Sequence, residues 1–325
     1  MTPPPWDLLT LGEALLRLTP QGFEALERAP RLEASIAGSE LNVACALARL
    51  GRRVSWASRL PLGPLGRRVA ATAREQGVDV SAVQWVENER LGVMYFEPGL
   101  NPRASRVTYD RRASSAAGLS AQAPPWSDLA LNARYLHLTG ITAALGPGPR
   151  ELVLTLARRA AEAGARVSFD LNYRAALGPP QAAAAVLQDI APSLDTLIVA
   201  ERDARAVLGL DEEGEALARA LRERYGARVI ALTRGPDAPE SSLVLAGDAL
   251  HRGPRVPVTV LDRLGAGDAF AAGLLHGLLN DDPAAGARAG AFMAAVALAT
   301  PGDICLITPQ ELAAFEAGET GGLKR

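Results

Sequence analysis

The chain has 325 residues, with 34 basic and 36 acidic side chains and a formal net charge of −2. Without a basic surplus it is not expected to bind nucleic acid, where affinity rests on neutralising phosphates. Its 48% hydrophobic content is enough for a core, in one large domain or two smaller ones. Lys324 is the only lysine, which excludes a P-loop lysine and an internal lysine Schiff base.

The opening Met1-Thr2-Pro3-Pro4-Pro5 has no basic stretch followed by an apolar one, so it does not read as a signal peptide. The longest apolar run, residues 289–300, falls well short of the roughly 20 residues that span a bilayer. A soluble, cytoplasmic protein without a membrane partner is expected. Cys45 and Cys305 make neither a disulfide framework nor a Cys-x-x-Cys pair. His137, His251 and His276 are too scattered to suggest zinc.

In chain order, residues 15–19 with 32–36, and 92–97 with 106–110, read as two β pairs. Four such strands set between α/β segments form a small separate sheet, placed to act as a lid. From residue 135 onward strand and helix alternate. Strands are expected at 135–138, 166–171, 196–199 and 229–232, with 243–245 pairing near residue 250 and a further strand at 256–260. Helices are expected at 150–163, 180–190, 202–208, 213–225, 266–279 and 283–299. This alternation predicts a mostly parallel sheet covered by helices on both faces.

Three segments carry chemistry. Asp262-Arg263-Leu264-Gly265-Ala266-Gly267-Asp268-Ala269-Phe270 opens a helix. Its small residues allow close backbone approach, and free N–H groups at the helix start suit a phosphate. Asp268 is either a first-turn acid facing the dipole or a general base. The Gly-x-Gly is not a dinucleotide fingerprint, because Phe270 stands where that pattern needs a third small residue. Asp170-Leu171-Asn172-Tyr173-Arg174 ends a strand, and positions 170, 172 and 174 share a face if the strand continues. They are either a solvated strand exit or a polar row at the ligand-binding edge, where arginine grips carboxylates. Ala37-Gly38-Ser39-Glu40-Leu41-Asn42 enters a helix, with Ser39 as an ordinary cap as the competing reading.

These segments, in this order and over essentially the whole chain, resemble the ribokinase-like (PfkB) carbohydrate kinases. Gly38 to Asn42 matches the N-terminal signature and Gly265-Ala266-Gly267-Asp268 the C-terminal one. The resemblance implies an α/β fold of about nine core strands with a β-sheet lid, as one domain over residues 1–325 with lid strands inserted at about 14–36 and 91–111. The chain looks most like the 2-keto-3-deoxygluconate kinases, on Gly12-Glu13, Arg106-Val107-Thr108-Tyr109-Asp110-Arg111, Leu136-His137-Leu138-Thr139-Gly140-Ile141-Thr142 and Asp170 to Arg174. Fructokinases share an Asp-x-Asn-x-Arg segment.

That resemblance implies ATP-dependent phosphorylation of the terminal hydroxyl of a sugar acid. Asp268 would be the base, and the backbone at Gly265, Ala266 and Gly267 would hold the phosphoryl group. Gly38, Asn42, Tyr95, Tyr109, Arg111, Ile141, Asn172 and Arg174 would bind the sugar. Thr233, Gly235, Ala266 and Gly267 would bind the nucleotide. Mg2+ would sit near Asp203 or Glu201 through water, and a homodimer through the lid, or a larger assembly, is expected. Departures gather on the nucleotide side. Arg263 follows the first aspartate of the C-terminal signature, Ala200-Glu201-Arg202-Asp203 replaces Asn-x-x-Glu, Ala238 replaces the second glycine of Thr-x-Gly-x-x-Gly, and Ala291 replaces an asparagine. A neutral-sugar kinase and a sensing module that has lost catalysis are the alternatives.

Overall fold

The computed structural model describes residues 5–123, 125–126 and 132–319. Met1 to Pro4 and Lys324 lie outside the described residues. In chain order the elements are β1 (Trp6–Leu11), β2 (Leu15–Pro20), β3 (Leu32–Ala37), α1 (Ser39–Arg49), β4 (Val54–Pro61), α2 (Pro64–Glu75), β5 (Val83–Val86), β6 (Gly92–Glu97), β7 (Arg106–Asp110) and β8 (Ala133–Thr139). There follow α3 (Gly140–Ala143), α4 (Pro147–Glu162), β9 (Arg166–Asp170), α5 (Pro180–Ile190), β10 (Thr196–Ala200), α6 (Glu201–Leu208), α7 (Gly214–Tyr225) and β11 (Val229–Thr233). The chain continues through β12 (Ser242–Ala246), β13 (Ala249–Gly253), α8 (Ala266–Leu278), α9 (Pro283–Leu298) and α10 (Pro309–Glu316).

Nine strands form the main sheet in the order β13-β12-β11-β10-β9-β8-β1-β4-β5. Every neighbouring pair from β5 to β11 is parallel, while β12 is antiparallel to both β11 and β13. The pleat distributes side chains to the two faces. In β11, Val229 and Ala231 pack under α1, α8 and α9, whereas Ile230 and Leu232 join the core beneath α4 to α7. These strands are buried on both faces and therefore read as continuous apolar runs.

The four strands β3-β2-β6-β7 make a separate small sheet, as the sequence pattern predicts. The expected strand at 256–260 does not form. Pro254 and Pro257 lack the N–H that a ladder needs, and the segment runs unpaired into α8. Strands β4 and β5 carry no clear sequence signal. In β4 the buried Ser55 and Ser58 interrupt the apolar run; Ser58 is satisfied by donating to the Gly12 carbonyl at 2.7 Å.

Helices α8 and α9 cross on glycines. A Cβ at Gly273 would lie 2.5 Å from the backbone nitrogen of Gly290, so this contact requires a hydrogen at position 273. The close crossing holds the buried helix whose first turn carries Asp268. Gly273→Ala is expected to destabilise the protein by about 1–3 kcal/mol through overpacking. Urea denaturation measures it, and an unchanged midpoint would show that the helices can part without cost.

Candidate active site

Strand β1 lies between β4 and β8, and the chain winds outward in opposite directions from it. A crevice opens at such a switch point, past the carboxyl ends of the strands. Glu13, Thr139, Asp170 and Ala200 stand at or just beyond the ends of β1, β8, β9 and β10, and the N-termini of α1 and α8 face them. Gly265 caps α8 with φ +78°, and a Cβ there would fall 2.1 Å from the Asp303 carbonyl oxygen, so conformation and space both require glycine. The first helical bond runs from the Ala269 N–H to the Gly265 carbonyl, at 2.8 Å. The N–H groups of Ala266, Gly267 and Asp268 precede it and present an anion site. Nothing lies within 4 Å of a Cβ placed on Gly267, so the space over this turn is open.

Asp268 is buried, with 8% exposure. Its Oδ1 accepts the Ser39 hydroxyl at 2.6 Å and its Oδ2 the Asn42 amide at 2.7 Å. The Asn172 amide donates to Ser39 Oγ at 3.0 Å. Ser39 is therefore not the cap of α1; that position is Gly38, with no side-chain cap bond. Asp268 is in the first turn of α8, but its hydrogen bonds tie it to α1 rather than leaving it to the helix dipole alone. Burial raises its pKa, while the Ser39 and Asn42 bonds and the charge of Arg174 oppose the rise.

Strand β9 stops at Asp170, so residues 170, 172 and 174 do not share a face by pleat. Instead Asp170 Oδ1 accepts the Asn172 N–H at 3.0 Å, and Asn172 has φ +39°. This turn brings all three into one cavity of about 150 Å³, together with Asp203, Thr233, Gly265, Gly267 and Asp268. A second cavity, of about 60 Å³, lies under the small sheet and is lined by Gly38, Asn42, Tyr109, Arg111, Ile141, Arg174, Gly265 and Asp268. Asp268 and Arg174 line both, so the carboxylate stands at their junction. Arg174 also borders a larger apolar cavity of about 290 Å³.

Three expected residues lie elsewhere, whereas Ala266 stands where expected. Tyr95 pairs with Thr108, on the face of the small sheet opposite to Met94 and Tyr109, and Met94 lines the cavity in its place. The Glu201 carboxylate is taken up by the Gly214 N–H at 2.6 Å and Arg234 at 3.2 Å, and it does not line the cavity. Gly235 is exposed, its carbonyl held by Arg255 at 2.8 Å. Ala266 contributes only the backbone of the first turn of α8.

Sequence reasoning missed Glu40, Met94 and Asp303 as site residues, and it quoted Glu13 without a role. The antiparallel register of 92–97 on 106–110 was the signal that could have put Met94 beside Tyr109. Glu13 binds Arg111 at 2.9 and 2.5 Å, leaving that guanidinium engaged. Glu40 is fully buried. Its Oε1 accepts the hydroxyls of Thr139 and Thr142 at 2.7 and 2.6 Å, while Oε2 has no partner among the described residues.

Residues 7–309 match the pfkB family carbohydrate kinase. The chain belongs to this family. It is 37% identical over 321 residues to the 2-dehydro-3-deoxygalactonokinase of Haloferax volcanii, covering 98% of this chain and 99% of that one. It is 30% identical to the 2-dehydro-3-deoxygluconokinase of Bacillus subtilis, over 95% of each chain. The crystal structure of 2-dehydro-3-deoxygluconokinase from Thermotoga maritima superposes with a TM-score of 0.89 at 29% identity, covering 96% of this chain and 99% of that one. The pfkB kinase is thus a phosphotransferase with the ribokinase-like fold expected from its signatures. No helix among the described residues is long and apolar enough to cross a membrane.

Burial pushes the Glu40 carboxyl up to about 7, with the Asp268 charge adding to the rise, and pushes Asp170 up to about 8 for the same two reasons. Between the ordinary carboxylate range and these values the folded kinase holds protons that the unfolded chain has released. Stability is therefore greatest at the acid side of this window and falls as pH rises through it. Glu40→Gln keeps the neutral form at every pH and should remove about 3 kcal/mol of that decline between pH 5 and 8. Urea titrations at both pH values test this, and an equally steep decline in the variant would refute it.

Proposed function

We propose that this kinase transfers the γ-phosphoryl group of ATP to the terminal hydroxyl of a 2-dehydro-3-deoxy sugar acid. The observation that carries the reading is the place of Arg174. Its guanidinium borders both polar cavities beside Asp268, donates to the Tyr173 carbonyl at 3.2 Å, and forms no ion pair among the described residues. A half-buried guanidinium in that state is suited to a substrate carboxylate. The relatives from Haloferax and Bacillus are named for acids that differ only in the configuration of one hydroxyl, and either acid fits this reading.

The sugar lies in the small-sheet cavity against Gly38, Asn42, Tyr109, Arg111, Ile141 and Met94, with Asn172 and Arg174 at its edge. Asp268 takes the proton of the attacking hydroxyl as the new P–O bond forms and the bond to ADP breaks. The N–H groups of Ala266, Gly267 and Asp268 stabilise the charge on the phosphoryl oxygens. The nucleotide occupies the cavity bordered by Thr233 and Gly267.

Among the described residues no cluster of three His, Cys, Asp or Glu forms a metal site. Asp203 nevertheless lines the same cavity as Thr233 and Gly267. This suits Mg2+ arriving with the nucleotide and held through water by Asp203, not by Glu201. The ion, when bound, shields phosphate charge. We place the reaction in the cytoplasm, where ATP is supplied. A second copy would cover the outer face of the small sheet, where Leu18, Ala34 and Val93 are partly buried and Leu32 is 37% exposed.

Asp268→Ala should lower kcat by about 10²–10⁴-fold while sugar binding stays near wild type. Retention of wild-type kcat in a coupled ADP-release assay removes the base assignment. Arg174→Ala should raise KM for the sugar acid by about 10–100-fold but change KM for fructose by less than about 3-fold. Equal losses on both sugars would show that the guanidinium does not read the carboxylate.

A further inference from the structure

Arg17 has no part in the chemistry above. It lies on β2, in the small sheet, and is 3% exposed. Its Nη2 donates to Asp262 Oδ2 at 2.5 Å, its Nη1 to Asp303 Oδ2 at 2.7 Å and its Nε to Thr19 Oγ1 at 3.1 Å. The Phe96 ring on β6 lies 4.4 Å from the guanidinium carbon. Both carboxylates belong to the body of the protein, and both brace the turn that opens α8. Asp262 accepts the Leu264 N–H at 3.0 Å and the Gly302 N–H at 3.1 Å. The Asp303 backbone packs against Gly265 so closely that a Cβ there would be 2.1 Å from its oxygen.

We infer that Arg17 is a positioning residue that couples the small sheet to the phosphate-binding turn, so that nucleotide binding at the turn and closure of the sheet over the sugar are linked. The inference rests on the site assignment proposed above. Three physical points support it. A guanidinium has a rigid fork, so two carboxylates held by it fix the direction of β2 as well as its distance. Separating β2 from the turn would leave two buried carboxylates without their cation, which is strongly unfavourable. Those carboxylates also flank an anion site, and without Arg17 their charge would oppose a phosphate there. Burial pushes Asp303 up to about 6, and the charge and hydrogen bond of Arg17 oppose that rise. A lysine would be a point charge without the fork and would hold the two carboxylates less firmly.

Hydrogen–deuterium exchange on the full chain tests this, with wild type, R17K and R17M/D303N compared with and without saturating ADP. R17M/D303N removes one charge of each sign, and R17K keeps the charge, so folding does not depend on a single variant. In wild type, ADP should slow exchange in β2 and β3 as well as in residues 262–268. In both variants the slowing should stop at 262–268. Protection of β2 and β3 that persists in either variant, or that is missing in wild type, overturns the inference. Kinetics give a second readout. R17K should lower kcat by about 10-fold with KM for the sugar acid changed by less than about 3-fold, within the range of coupling between two sites. An unchanged kcat in R17K counts against the coupling. If wild type phosphorylates neither 2-dehydro-3-deoxygalactonate nor 2-dehydro-3-deoxygluconate while ADP still protects β2 and β3, the substrate reading fails and the coupling stands.

Discussion

The hydrogen bonds that join Asp268 to Ser39 and Asn42 are the constraint on which the rest of the site depends. They tie the first turn of α8 to the first turn of α1, two elements more than 200 residues apart in the chain. Burial raises the pKa of this carboxyl, and these donors, with Arg174 nearby, oppose the rise. The same contacts hold it at the junction of two cavities. The fold supplies the frame, because β1 lies where the winding of the sheet reverses and the helix N-termini meet past its end.

Around that point the molecule collects acids beside the open N–H groups of α8. Glu40, Asp170, Asp203, Asp268 and Asp303 all border it. Burial resolves part of this conflict by favouring the protonated forms of Glu40 and Asp170 near neutral pH. Arg174 and the open N–H groups of α8 offset more of it.

The departures from the family signatures have structural counterparts. Arg234, in the segment that lacks its second glycine, binds both Glu201 and Glu240, and Glu240 also binds Arg252. Glu201 is therefore part of a salt-bridge network that shapes the rim, and Asp203 is left as the carboxylate of that segment facing the cavity. The backbone carbonyls of Gly235 and Ala238 are both held by Arg255, so this loop is fixed by an arginine as well as by its glycine.

Much of this was legible in the sequence, for local reasons. Helix α5 runs over the residues that its periodicity marks, and the four strands of the small sheet lie where alternation and turn residues place them. The open turn at Gly265 to Asp268 follows from small residues at a helix start. Other features needed the folded chain. Residues 256–260 alternate like a strand, yet Pro257, with Pro254 just before the segment, leaves them without a ladder. Tyr95 and Met94 are equally plausible by composition, and only strand register sends one to the site and the other to the outer face. Above all, tertiary structure decided which cations are committed. Arg111 is taken by Glu13, 98 residues away, and Arg17 by Asp303, 286 residues away, while Arg174 forms no ion pair among the described residues. Periodicity and capping act between neighbours in the chain and can be read from it. Ion pairing and burial depend on what the fold brings alongside.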